Sequence, residues 1–109
     1  MLVQDVGTNA TIRSNRIHDG QAQGVEVFDG ASASIEGNDI CANTHEGVAV
    51  AGQGTSVALR GNLIHGGAHV GIFVTDAARC EITDNRIFAN ALGDLSAEPG
   101  TEVTLSSRA

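Results

Sequence analysis

The sequence contains no Trp, no Tyr and no Lys, and only three Phe. A globule of this length ordinarily leans on aromatic rings for core volume, so Val, Ile, Leu and Ala must fill this interior. Without Lys there is no phosphate-binding Gly-Lys-Ser/Thr loop. Six Arg against 13 acidic residues leave a formal charge of −7, which removes the basic footprint of a nucleic-acid partner. The single Pro argues against a proline-rich linker. Cys41 and Cys80, the only cysteines, are too few for a disulfide framework. No run approaches the ~20 apolar residues of a membrane-spanning helix, so no membrane partner is expected. Met1 to Asp5 show neither the basic start nor the apolar centre of a signal peptide, and the compartment stays open. Nowhere does an apolar stripe of helical period run to useful length.

What the sequence does have is Gly, 14 of 109 residues, and a repeat. Asn15, Asn38, Asn62 and Asn85 follow one another at intervals of 23, 24 and 23 residues. Each sits in the pattern apolar-x-x-Asn-x-Ile, as in Ile35…Asn38…Ile40. A second marker keeps the same period: Gly24-Val-Glu-Val, Gly47-Val-Ala-Val and Gly71-Ile-Phe-Val, with Gly93 after them. Two markers in one period across the chain make a solenoid the natural reading.

One unit holds three short strands. Gly-Val-x-Val alternates, with both Val on one face. The next strand carries an inward apolar pair, such as Ala33 and Ile35 or Cys80 and Ile82. The Asn turns the chain, and Ile17, Ile40, Ile64 or Ile87 points inward on the third strand. A lone coil has nothing to bury its apolar face against. Stacked at about 4.8 Å per layer, like residues lie over like and the coils share one core. The expected fold is all-β: a right-handed parallel β-helix of four to five coils of 22–24 residues. Asn15, Asn38, Asn62 and Asn85 would form a structural ladder that bonds turn amides between layers. Gly24, Gly47 and Gly71 would occupy turns with positive φ. Arg13, Glu36, Arg60 and Thr83 share one outward column, in which Arg meets Glu meets Arg. The coils run approximately over 1–23, 24–46, 47–70 and 71–92, with a degenerate terminal coil at 93–109, all one domain. Uncapped ends imply a piece of a longer chain, or end-to-end homo-oligomers.

Asn15-Arg-Ile-His-Asp-Gly20, Asn38-Asp-Ile-Cys-Ala-Asn43 and Asn85-Arg-Ile-Phe-Ala-Asn90 resemble the repeats of the right-handed parallel β-helix family, the pectin-lyase-like superfamily. They are similar to the β-helical region of an F-box protein and to NosD-like periplasmic proteins. The resemblance covers residues 1–92. It implies that the Gly-Val-x-Val strand belongs to the first of three sheets, where carbohydrate-active relatives bind sugar. A leucine-rich repeat also fits a 23-residue period, but six Leu are too few and the segments between strands are not helical.

Chemistry is thinly marked. A glycosidic bond calls for two carboxylates at short range, whereas the acids here scatter over several columns. Asp29 and Asp76 stand two coils apart with Gly52 between them. No Gly-x-Ser-x-Gly elbow occurs, so no catalytic residue is assigned. His18, Cys41, His65 and Phe88 share one column. That is ligand chemistry for zinc, but a fourth ligand is missing and Phe88 marks a packing position, so no metal ligand and no cofactor are assigned. Cys80, in the Ala10/Ala33/Val57 column, reads as core, and a Cys41–Cys80 disulfide is not expected. The best candidate ligand-binding surface joins His45, Glu46 and His69, in and beside one turn column, to Glu26 and an exposed Phe73 on the first sheet. The resulting expectation is a noncatalytic repeat module that binds a protein or a saccharide. The alternatives are a fragment of a carbohydrate-active enzyme and a structural spacer.

Overall fold

A computed structural model describes residues 1–106. Coil one contributes β1 (Leu2–Gln4), β2 (Asn9–Arg13) and β3 (Arg16–His18). Coil two contributes β4 (Val25–Phe28), β5 (Ser32–Glu36) and β6 (Asp39–Cys41). Coil three contributes β7 (Val48–Ala51), β8 (Ser56–Arg60) and β9 (Leu63–His65). Coil four contributes β10 (Ile72–Thr75), β11 (Arg79–Thr83) and β12 (Arg86–Phe88). After it come β13 (Leu95–Ala97) and β14 (Glu102–Ser106). The last three residues of the expected terminal coil lie outside the described residues. No helix occurs among those described.

Three parallel sheets result. Sheet 1 stacks β1-β4-β7-β10-β13, sheet 2 stacks β2-β5-β8-β11-β14, and sheet 3 stacks β3-β6-β9-β12. Each strand pairs only with its counterparts one coil away, as in Val25↔Val48↔Ile72 and Ile40↔Ile64↔Ile87. The period-2 alternation of short β-branched strands turns every second side chain inward. Val27, Ile35, Ile40, Val48, Leu59 and Ile64 are fully buried in a core made without aromatic rings. Cys80 is buried in the column Ala10–Ala33–Val57–Cys80–Val103, and both cysteines are free thiols. Burial pushes the Cys80 thiol up to about 12.

The turn glycines depart from expectation. Gly24, Gly47 and Gly71 do not have positive φ; close approach between layers is what demands them. A Cβ on Gly24 would fall 2.6 Å from the Gly47 carbonyl oxygen, and one on Gly47 or Gly71 would fall 2.8 Å from the carbonyl oxygen of Gly71 or Asp94. The position just before each asparagine is left-handed instead: Ser14 (φ 55°), Gly37 (64°), Gly61 (62°) and Asp84 (57°).

The asparagines bond from layer to layer. Asn38 Oδ1 accepts from the Asn15 N–H at 2.9 Å, and its Nδ2 donates to the Ile12 carbonyl at 2.9 Å. Asn62 repeats the pattern on the Asn38 N–H (2.9 Å) and the Ile35 carbonyl (2.8 Å), and Asn85 on the Asn62 N–H (2.8 Å) and the Leu59 carbonyl (2.9 Å). The register also puts Arg13, Glu36, Arg60 and Thr83 in one outward row, where Arg13 and Glu36 lie 3.9 Å apart.

Candidate functional site

Sheet 1 carries two of the five residues of the expected binding surface, Glu26 and Phe73. Its outward rows are Leu2–Glu26–Ala49–Phe73–Ser96 and Gln4–Phe28–Ala51–Thr75. Glu26 and Phe73 therefore stand in one row, two coils apart, with Ala49 between them. Phe73 is half-buried rather than exposed. Phe28, which the sequence reading did not single out, occupies the next row in the same half-buried state. The alternation in Val25-Glu26-Val27-Phe28 already places it on the outward face with Glu26. Two rings thus flank a floor of Ala49 and Ala51, about 12 Å apart on the diagonal, two layers up and two residues along the strand.

The turn leading into this sheet holds the remaining expected residues. Glu46 is buried, and its Oε2 lies 3.8 Å from His69 Nδ1. That nitrogen is itself buried and has no hydrogen-bond partner among the described residues. His45, one coil before His69 in the column, is exposed and joins neither group. The structure therefore brings Glu46 and His69 together, puts Glu26 and Phe73 in one row two coils apart, and leaves His45 aside.

Sheet 3 shows a cluster that sequence reading grasped only in part. The column His18–Cys41–His65–Phe88 is in register. Asp39 lies two residues before Cys41 on β6, and therefore on the same face. Its Oδ1 sits 2.8 Å from His65 Nε2, and its Oδ2 sits 3.9 Å from Arg16 Nε. The His65 ring stacks on Phe88 at 4.9 Å between centroids, 6° from parallel, and the Arg86 guanidinium lies 5.5 Å over that phenyl ring. The hydrogen bond with His65 holds the Asp39 carboxyl below its ordinary value of 3.8. Burial, with the Asp39 charge nearby, pushes the Cys41 thiol up, so Cys41 is a poor free nucleophile at neutral pH.

A family model described as a right-handed β-helix region matches residues 2–108. The chain belongs to the right-handed β-helix family. No curated protein and no solved structure matches it.

Within this β-helix, an open concavity of about 670 Å³ lies against sheet 2, away from the expected surface. Its lining includes Glu36, Arg60, Glu81, Thr83 and Asp84. Mixed charges on an open wall, without an aromatic side chain, give a small ligand little to bury itself against. The rings and the alanine floor of sheet 1 are the stronger candidate surface. No helix among the described residues is long and apolar enough to cross a membrane.

Proposed function

We propose that this β-helix is a noncatalytic module that binds a neutral saccharide along the outer face of sheet 1. The observation that carries the reading is the pair of half-buried rings, Phe28 and Phe73, standing over Ala49 and Ala51. Small side chains between two rings leave room for a pyranose to lay its C–H face on an aromatic surface. Glu26 and Thr75 in the same rows supply acceptors and a donor for its hydroxyls, which is the apolar-floor, few-polar-groups pattern of a ligand site. The net charge of −7 disfavours a uronate polymer, because like charges repel on approach.

The test is a glycan array carrying neutral and uronate oligosaccharides, run with and without calcium, on the wild-type chain and on Phe73→Ala. A neutral oligosaccharide should be retained by the wild type and lose at least about tenfold in affinity in the variant, equivalent to ~1.4 kcal/mol. Silence across the array, or binding that Phe73→Ala leaves untouched, removes the proposal. New reducing ends released from a bound glycan would transfer it to the enzyme alternative.

A further inference from the structure

The geometry points to a site for a zinc-type divalent transition-metal ion on sheet 3, held by Asp39, Cys41 and His65. It is separate from the saccharide face and independent of that reading. The thiol sulfur, a carboxylate oxygen and an imidazole nitrogen of these residues lie within 4.8 Å of one another. Ligands around a tetrahedral ion, with bonds of about 2.0–2.3 Å, sit roughly 3.3–3.8 Å apart. The widest pair therefore needs to close by only about 1 Å, and the Asp39–His65 contact of 2.8 Å needs to open slightly.

Donor chemistry selects the ion. Sulfur, nitrogen and oxygen together suit a borderline-soft ion such as Zn²⁺. Ca²⁺ and Mg²⁺ require oxygen throughout. The supporting contacts are already built. Phe88 stacks on His65 from the next coil and fixes the plane of its ring. Arg16 lies at the other carboxylate oxygen of Asp39, leaving Oδ1 to the ion. Partners of this kind orient metal ligands. His18, one coil below Cys41, is turned to Asp19, with Nδ1 2.6 Å from Oδ2, so the fourth position goes to water. On binding, the Cys41 S–H bond breaks and its proton passes to buffer; the proton that His65 Nε2 shares with Asp39 Oδ1 moves through solvent to Nδ1, so the ring stays neutral, and thiolate, carboxylate and imidazole bond to the metal. Because Asp39 and Cys41 belong to β6 and His65 to β9, the ion clamps two coils together.

Co²⁺ titration of the reduced full chain tests the site, since a cobalt–thiolate bond gives a near-ultraviolet charge-transfer band. One equivalent of Co²⁺ should produce the band, and Zn²⁺ should erase it. Cys41→Ser should abolish it, whereas Cys80→Ala, checked for fold by circular dichroism, should keep it. Asp39→Asn alters a partly exposed side chain and spares the core, and it should weaken binding by more than about tenfold. Zn²⁺ should raise the melting temperature of the wild type and leave that of Asp39→Asn nearly unchanged. A wild type without the band, a band that survives Cys41→Ser, or equal cobalt affinity in wild type and Asp39→Asn overturns the site.

Discussion

Two turn columns, five residues apart in every coil, solve the same problem in different ways. In the first, each coil supplies an asparagine, and Asn15, Asn38, Asn62 and Asn85 form a continuous series of layer-to-layer hydrogen bonds. In the second, glycine alternates with asparagine: Gly20, Asn43, Gly67, Asn90. Asn43 Oδ1 accepts from the Gly20 N–H at 3.0 Å, and its Nδ2 donates to the Ile17 carbonyl at 3.2 Å. Asn90 does the same for Gly67 (3.1 Å) and Ile64 (3.2 Å). The first column is a chain of linked amides, and the second is two isolated clasps with a two-coil period. A buried amide serving partners above and below is tied to its neighbours, so its loss spreads. A clasp serves one layer step, and its loss stays local.

The comparison predicts a clear order of damage. Asn62→Leu, which nearly conserves volume, strips partners from the buried Asn38 N–H and the buried Ile35 carbonyl. The orphaned N–H and the lost carbonyl bond together cost about 2–4 kcal/mol, a fall of about 10 °C or more in melting temperature. Asn43→Leu orphans the Gly20 N–H and takes one bond from the Ile17 carbonyl. Both bonds are partly open to water, so the expected cost is lower, about 1–2 kcal/mol. Denaturant melts of the two variants measure the gap, and equal midpoints would erase the distinction between a linked column and isolated clasps.

How much of this was legible follows from what each column demands. The first column has the same environment in every coil, so the same residue recurs and the period can be read off. The second is half glycine, and its pairing emerges only once Asn43 is seen reaching back to Gly20. The proposed metal-binding face was half legible for a similar reason. His18, Cys41 and His65 announce themselves as donors, but the neighbouring row Arg16, Asp39, Leu63, Arg86 repeats no residue in adjacent coils, and Asp39 was overlooked in it. Strand alternation alone would have placed it beside Cys41. The Gly24 column was legible as glycine, but the wrong cause was attached to it. Positive φ and close backbone approach both select glycine, and spacing does not distinguish them. Phe28 was passed over because its column holds Gln4, Ala51 and Thr75, no two alike.

Asp39→Ala gives the contrast from outside both columns, one residue after Asn38. Its contacts with His65 and Arg16 are partly exposed, so its removal should cost less than about 1 kcal/mol. The effect has a sign in pH. The folded carboxyl titrates below its ordinary 3.8, so the contribution is complete above that value and is lost as pH falls through the lower folded value. Wild-type and Asp39→Ala melts should differ slightly at neutral pH and converge in strong acid. A gap that widens in acid would contradict the assignment.

The smallest expected effect sharpens the comparison most. Gly67→Asn would write an asparagine into every layer from 43 to 90 and convert two clasps towards a linked column. Gly67 does not have positive φ, so its backbone accepts a side chain, and removing glycine from the unfolded chain favours folding by about 0.4–1 kcal/mol. Against this, a Cβ at position 67 would meet Asn90 Oδ1 at 3.2 Å. That oxygen is already held by the Gly67 N–H at 3.1 Å, so it yields only by lengthening the bond it makes. Crowding in a packed turn costs about 1 kcal/mol or more, and we expect a net loss below about 1 kcal/mol, a drop of a few degrees. A higher melting temperature would mean that the glycine leaves a rung unused, and that the two columns differ in sequence rather than in what the fold permits.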